Sequence, residues 1–145
     1  MNWRILTVGK PALAYAKAGR DEYLARIGKV ATVEIVTVKA SDPAREGADL
    51  LAKSDGCFRV ILDETGQQLG SRVFASKIDA WRQSSRPVAV IIGGANGHGA
   101  AIMPSADFLW SLGPLTLQHE LALVVALEQI YRAHTILAGH PYHRD

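Results

Sequence analysis

A glycine-rich segment in the last third of the chain has the residue types of a ligand-binding loop. The apolar run at 88–92 ends in Gly93, Gly94 and Gly97, three glycines within five positions. This pattern predicts a buried strand that runs into a loop whose backbone bends sharply or approaches a ligand closely. Ligands of open α/β sheets bind beyond the carboxyl ends of the strands. We therefore expect a ligand site at this loop.

Side chains able to move protons or donate hydrogen bonds follow this loop. His119 lies near the start of a long apolar segment, and Tyr142, His143 and Arg144 lie among the last six residues. Histidine titrates near neutral pH and is a common general base, while tyrosine and arginine are strong hydrogen-bond donors. The chemistry is therefore expected towards the carboxyl end of the chain.

The elements that position these residues alternate along the chain. Apolar and β-branched runs predict five strands, at 5–8, 30–38, 58–62, 88–92 and 108–111, with a turn at 63–66. Helical periodicity predicts helices at 11–27, 45–53, 71–83, 100–106 and 118–138, with Ser71 as an N-cap. This alternation favours an α/β fold with a parallel sheet flanked by helices. The length of 145 residues predicts a single domain, residues 1–145.

The helix expected at 118–138 is apolar in several directions. One helical stripe contains Leu123, Leu127, Ile130, His134 and Leu137, and other apolar side chains point elsewhere. Such a helix is buried on several sides. In so small a domain a second copy of the chain can supply part of the cover, so a homodimer is expected. The alternative is a central helix in the core of a monomer.

Composition restricts the setting but not the activity. The net charge of +2 permits an anionic partner without requiring one. The single cysteine, Cys57, cannot form an internal disulfide, which favours a cytoplasmic location. No secretion signal or membrane-spanning segment is expected, since Glu128, Arg132 and His134 interrupt the longest apolar run. No histidine pair has metal-ligand spacing with carboxylates, so no metal is expected.

The order of motifs along the chain resembles that of the ribosomal RNA large subunit methyltransferase H family. The resemblance covers nearly the whole chain and rests on motifs at 8–10, 22–27, 62–66, 71–75, 92–97, 115–121, 128–133 and 139–144. Members of this family are small SPOUT-type methyltransferases that use S-adenosylmethionine. The resemblance implies an α/β sheet with a C-terminal trefoil knot, and a homodimer. It also implies methylation of N3 of a pseudouridine in 23S ribosomal RNA on assembled ribosomes.

The resemblance also implies which residues bind the cofactor. Three loops are expected to build the pocket, and the leucines among their residues suit an apolar slot for adenine. The residues are Leu62, Gly93, Gly94, Gly113, Pro114, Leu115, Thr116, Leu117 and Gln118. Without the resemblance, Gly93 and Gly94 would be read as a tight turn, and Leu62 as part of the core.

Removal of the N3 proton calls for a base or a polarising donor. The candidates are His119, Tyr142, His143 and Arg144, since the resemblance places the tail near the cofactor and the RNA. No single base is assigned. His119 could instead only order the cofactor loop, and the tail could be a frayed terminus.

Several other residues have two open interpretations. His98 is expected to face solvent or RNA, His134 to be structural or at an interface, and Cys57 to be a buried or loop residue. A group of basic residues could form a phosphate-binding face or a solvated surface. These residues are Arg4, Lys10, Lys17, Arg20 and Arg26.

Two departures from the family pattern keep other functions open. Leu123 stands where the family usually has arginine, so Arg132 or Arg144 is expected to compensate, and the segment between Val38 and Phe58 is about ten residues shorter than is common. The alternatives are a SPOUT enzyme for another ribosomal or transfer RNA base and a non-catalytic RNA-binding relative. The glycine segment lacks the dinucleotide fingerprint and the P-loop lysine, which argues against a dehydrogenase and an NTPase.

Overall fold

Strands and helices alternate along the whole chain. The computed structural model describes residues 1–95 and 97–145; Asn96, part of the glycine-rich segment, lies outside the described residues. The strands are β1 Asn2–Val8, β2 Thr32–Val38, β3 Phe58–Gln68, β4 Val88–Ile91 and β5 Phe108–Ser111. The α-helices are α1 Ala14–Ile27, α2 Pro43–Lys53, α3 Ser71–Arg82 and α4 His119–Leu137, and a 3₁₀ turn spans Met103–Ser105.

The five strands form one sheet in the order β2-β1-β4-β3-β5, and every neighbouring pair is parallel. Every residue of the central strand β4 is buried, which is why its sequence is a continuous apolar run. The carboxyl ends of β1, β3, β4 and β5 therefore lie along one edge of the sheet. The expected α/β fold with a parallel sheet flanked by helices is confirmed, whereas the trefoil knot stays a prediction.

The sheet is covered on both faces. On one face, side chains such as Trp3, Phe74 and Trp110 join buried residues of α4 in the larger core. On the other face, a smaller core contains Leu50 of α2 and Ile102. Residues far apart in sequence are thus packed against the two sides of the same short strands.

Helix α4 lies within the core of its own chain. It packs against α1 and α3, and Ala126, Leu127 and Ile130 are essentially inaccessible. At Gly19 of α1, an added Cβ would lie 3.0 Å from Cγ1 of Val124, so the two helices approach closely there. The apolar character of α4 on several sides is explained largely by α1 and α3. It does not by itself require a second copy, and the homodimer stays a prediction.

Some boundaries differ from those expected from the sequence. β1 begins at Asn2 rather than Ile5, and α1 begins at Ala14 rather than Pro11. β3 continues through the expected turn at 63–66, with a register shift against β5 between Leu62 and Gln67. The α3 N-cap is Gly70 rather than Ser71, whose hydroxyl donates to Gln129. The helix expected at 100–106 is only the 3₁₀ turn.

No helix in the described part of the chain is long and apolar enough to span a membrane.

Candidate functional site

A cavity of about 550 Å³ opens beyond the carboxyl ends of β4 and β5, beside the middle of β3. Its volume lies within the range of small-molecule sites in proteins. Three segments form its wall: residues 62–64 in the middle of β3, the glycine-rich segment after β4, and the loop between β5 and α4. These are the three segments expected from the resemblance, although the first belongs to a strand and is not a loop. The cavity lies where open α/β sheets bind ligands.

Eight of the nine residues expected to bind a cofactor line this cavity; they are Leu62, Gly93, Gly94, Gly113, Leu115, Thr116, Leu117 and Gln118. The ninth, Pro114, is exposed and is not among the lining residues. Leu115 is 77% exposed although it is apolar. An exposed leucine on a cavity wall is available to cover a flat apolar ligand group.

Close backbone packing explains two of the glycines. A Cβ at Gly94 would lie 3.1 Å from both Cβ and Cγ1 of Val8, and a Cβ at Gly93 would lie 3.2 Å from the backbone of Gly97. Both contacts are tighter than most Cβ atoms make, so a side chain at Gly94 would crowd β1 and one at Gly93 would crowd Gly97. Gly113 has a φ of 144°, which also favours glycine.

His98 belongs to the cavity wall, not to an outward face. Its Nε2 lies 2.7 Å from the carbonyl oxygen of Leu62, so the imidazole ties the glycine-rich segment to the middle of β3. The expectation that His98 faces solvent or RNA is therefore wrong. The physical reason is that the chain after Gly97 turns back towards β3.

Two acidic residues that sequence reasoning did not select also line the cavity, Asp63 and Glu64. Burial raises the pKa of Asp63, but hydrogen bonds from the hydroxyl and amide of Thr65 outweigh this effect and hold its pKa below the usual value. Glu64 accepts a 3.1 Å hydrogen bond from the hydroxyl of Thr116. The only signal in the sequence was their position directly after a buried strand.

His119 lies at the first turn of α4, on the cavity wall. The Gln118 side chain caps this helix by accepting hydrogen bonds from the amides of Glu120 and Leu121 at 2.9 and 3.0 Å. The amide nitrogen of the same Gln118 side chain lies 3.3 Å from Nδ1 of His119. The cap thus fixes the start of α4 and orients the imidazole next to the cavity.

The C-terminal tail is held against α1 and α4. The hydroxyl of Tyr142 donates to Glu128 at 2.9 Å and lies 3.4 Å from the hydroxyl of Tyr23. Burial raises the pKa of Tyr142 above its usual value, as do its hydrogen bonds with Tyr23 and Glu128. The Arg132 guanidinium lies 4.9 Å from the Tyr142 ring centroid and pairs with Glu128. The tail is therefore ordered by polar contacts, not frayed.

His143 is engaged at both ring nitrogens. Nδ1 accepts from Arg132 at 3.1 Å, and Nε2 lies 3.1 Å from the Asp145 carboxylate. Asp145 in turn pairs with Arg72 of α3 at 2.7 Å. Arg144 is exposed. The tail contacts thus extend from α4 to the surface of α3.

A single chain does not bring the four predicted catalytic residues together. None of Tyr142, His143 and Arg144 lines the cavity, and their contacts with α4 are at Glu128 and Arg132. These positions lie nine and thirteen residues after His119, which corresponds to about 14 to 20 Å of helix. His119 therefore lies at the cavity, whereas the tail lies towards the other end of α4.

The remaining candidates, His134 and Cys57, are buried in the core of the protein. His134 is 8% exposed and accepts a 2.9 Å hydrogen bond from the indole of Trp3. Burial lowers its pKa to about 4, and the positive charges of the N-terminus and Arg82 lower it in the same direction. Cys57 is buried. The described residues contain no group of three or more histidine, cysteine or acidic side chains placed to hold a metal ion.

The fold has a counterpart among solved structures. A methylase family protein from Neisseria gonorrhoeae superimposes with a TM-score of 0.57 over 90% of this chain and 81% of that one. The sequences are 11% identical, so this likeness concerns the fold alone.

Sequence relatives match over almost their full length. They include proteins named ribosomal RNA large subunit methyltransferase H from Thermus thermophilus, 46% identical, and Deinococcus radiodurans, 39% identical, each covering 99% of both chains. The alignment with the Hydrogenovibrio crunogenus protein, 33% identical, spans 156 positions against the 145 residues of this chain. This chain is thus shorter than some relatives, as the sequence indicated.

The family model described as "Predicted SPOUT methyltransferase" matches residues 1–143. Together with relatives at 33–46% identity over the full chain, this match confirms the resemblance noted from the motifs. The chain belongs to the SPOUT methyltransferases, in the ribosomal RNA large subunit methyltransferase H family.

Proposed function

We propose that the chain transfers the methyl group of S-adenosylmethionine to N3 of a pseudouridine in 23S ribosomal RNA. The observation that carries this proposal is the cavity of about 550 Å³ lined by eight of the nine residues expected to bind the cofactor. The names of the relatives support ribosomal RNA as the substrate. The identity of the base is taken from the family resemblance.

The chemistry of the wall suits the proposed cofactor. Leu62, Leu115 and Leu117 supply apolar surface for adenine, and the glycine segment offers backbone groups that a ligand can approach closely. The Asp63 and Glu64 carboxylates are available to the hydroxyls of a ribose or to an ammonium group. Among these, Asp63 is held ionised by Thr65, since its pKa is lowered.

The protein contributes alignment and proton transfer. S-adenosylmethionine supplies an electrophilic methyl group on a sulfonium, so a nucleophile held in line with it needs little covalent assistance. When the new N3–methyl bond forms, the electron pair of the broken bond goes to sulfur, and the N3 proton must leave. We assign its removal to His119, because it is the member of the four predicted catalytic residues that lines the cavity.

The tail residues have another part in this proposal. The raised pKa of Tyr142 keeps its hydroxyl protonated at neutral pH, so this hydroxyl continues to donate to Glu128 and holds the tail in place. His143 has both ring nitrogens engaged. Arg144 is exposed and available for RNA phosphate.

The distance between His119 and the tail bears on the oligomeric state. We propose that residues 1–145 act as one domain and that two copies form a homodimer. In such a dimer the tail of one copy can reach the cavity of the other, which the fixed length of α4 prevents within one chain. We further propose a cytoplasmic location, where ribosomes are available as substrate.

Transfer of a labelled methyl group from S-adenosylmethionine tests the substrate. The proposal predicts labelling of whole ribosomes and little labelling of protein-free 23S ribosomal RNA, because a chain of this size recognises a shaped RNA surface more readily than a sequence. Equal labelling of protein-free RNA would contradict the ribosome requirement. Labelling of transfer RNA alone would instead favour a different SPOUT substrate.

A further inference from the structure

A narrow second cleft lies beside the cavity. It is bounded by the end of β1 and the residues that follow it, by Arg20 of α1, and by the start of α4 with Leu123. Its volume is only about 20 Å³, enough for one or two oxygen atoms but not for a nucleobase. Ile92, Gly93 and His119 line both this cleft and the larger cavity. A group bound in the cleft is thus adjacent to the proposed reaction site.

Two cationic side chains bound this cleft, Lys10 and Arg20. Lys10 is exposed, and among the described residues no carboxylate lies within ion-pair distance of it. The Arg20 side chain is only 17% exposed, and its partner is the neighbouring Asp21, which is 59% exposed. Such a surface pair contributes little and is easily exchanged for a better anion.

The acidic group in the cleft is already engaged. Oε1 of Glu120 accepts from the backbone amides of Ala12 and Leu13, at 2.6 and 3.2 Å, and so holds the segment before α1. These two hydrogen bonds partly neutralise the negative charge of the Glu120 carboxylate. Glu120 therefore repels an incoming anion less than a free carboxylate would. The cleft therefore keeps a cationic balance.

Arg20 lies in the same cleft as Leu123, the position at which the resembled family usually has arginine. Leu123 is 7% exposed and forms an apolar wall of the cleft. The close approach of α1 and α4 at Gly19 and Val124 brings the next residue of α1, Arg20, to the same place. Arg132, one expected substitute for a cation here, is instead paired with Glu128.

We propose that Lys10 and Arg20 bind a backbone phosphate of the substrate RNA in this cleft and thereby place the target nucleotide against the cavity. This inference rests on the proposed function, because it takes RNA as the substrate. Phosphate is favoured over a carboxylate because a planar guanidinium and a flexible ammonium together offer many donors, which suit a tetrahedral group with several acceptor oxygens. The role is positioning, not proton transfer.

The test uses the full-length variants Arg20→Gln, Arg20→Lys and Lys10→Gln, with Arg82→Gln as a control. Arg82 carries the same charge in an exposed pair on α3, away from both cavities. Binding to ribosomes from a strain lacking the gene is measured over a range of KCl concentrations, together with KM and kcat for ribosomes. Calorimetry with S-adenosylmethionine and thermal unfolding check that each variant is folded.

The two glutamine variants are expected to raise KM for ribosomes about tenfold. They should reduce the slope of log affinity against log salt by about 0.7 to 0.9 per lost phosphate contact. Their affinity for S-adenosylmethionine should stay unchanged, and Arg20→Lys should keep the wild-type slope. If the Arg20 variants unfold, Lys10→Gln alone decides, because Lys10 is exposed.

Wild-type KM and salt slope in both glutamine variants would overturn the proposal. An equal change in Arg82→Gln would also overturn it, since the effect would then be one of overall charge. Failure of the wild-type protein to methylate any ribosome would instead contradict the proposed function. The wild-type assay and the ratio of variant to wild type thus separate the two ideas.

Discussion

The hydroxyl of Thr116 donates a 3.1 Å hydrogen bond to Glu64 and so joins two of the three segments around the cavity, the middle of β3 and the loop before α4. Both residues are exposed, and neither belongs to the buried cores of the fold. The contact therefore holds the cavity wall in shape without contributing to the core.

Loss of this hydrogen bond is expected to weaken cofactor binding and leave stability unchanged. Thr116→Val keeps the shape of the side chain but removes the donor. We expect about fivefold weaker binding of S-adenosylmethionine, corresponding to about 1 kcal/mol for one hydrogen bond. Calorimetry gives the affinity, and Ser76→Ala on the exposed face of α3 serves as the control. Wild-type affinity in Thr116→Val would show that the contact does not shape the site.

Replacement of His119 separates its two possible roles. If His119 removes the N3 proton, His119→Ala lowers kcat about 100-fold or more and leaves the affinity for S-adenosylmethionine within about twofold. Single-turnover methyl transfer and calorimetry on the same preparation measure the two quantities. A parallel loss of cofactor affinity would mean that His119 orders the loop before α4. An unchanged kcat would exclude it as the base.

The buried pair of Trp3 and His134 predicts a loss of stability in acid. The pKa of His134 falls from 6.5 to about 4 on folding, first because of burial. Between these values the unfolded chain binds more protons than the folded protein, so the free energy of unfolding decreases as the pH falls from 6.5 to 4. We expect His134 to account for about 2 kcal/mol of this decrease, allowing for residual solvent screening.

The His134→Gln variant isolates this contribution. Glutamine can accept from the Trp3 indole but does not titrate, so the variant should lose less stability than the wild type between pH 6.5 and 4. Urea unfolding at both pH values gives the comparison, and other titrating groups cancel in the difference. The same pH dependence in both proteins would show that His134 does not contribute.

A pair of glycine substitutions tests the register shift in β3. A Cβ at Gly66 would lie 2.6 Å from the carbonyl carbon of Leu109 in β5. Gly66→Ala should therefore destabilise the protein by about 3 kcal/mol. Gly47→Ala in α2 meets nothing within 4 Å and should stabilise it by about 0.5 to 1 kcal/mol. Urea midpoints measure both, and similar small effects would mean that β3 and β5 do not approach so closely.

The sequence predicted those elements best whose apolar pattern has clear ends. β5 was expected at the residues where it occurs, and α4 within one residue at each end, since Gln118 and the glycine after Ala138 limit it. The strand predicted at 58–62 is shorter than the observed β3. The reason is that residues 63–66 have the composition of a turn, although Gln67 and Gln68 pair again with β5. The continuation of β3 depends on pairing with β5, which the local sequence of β3 does not indicate.

The cavity was predictable mainly through the family resemblance. Glycines and leucines at 93–94 and 113–118 have many ordinary roles, so composition alone does not select them. Asp63 and Glu64 were not selected, and His98 was expected to face solvent or RNA. All three reach the cavity through a bulge and a returning loop, which depend on tertiary contacts. The place of the tail likewise depends on contacts with Glu128 and Arg132, which no local sequence pattern indicates.

The most direct test of the central claim is mass spectrometry of nucleosides from 23S ribosomal RNA. Ribosomes from a strain lacking the gene are incubated with the wild-type protein and S-adenosylmethionine before digestion. The account predicts the appearance of one 3-methylpseudouridine, absent when the cofactor is left out. Methylation of a different nucleoside, or no methylation by a protein that still binds S-adenosylmethionine, would contradict it.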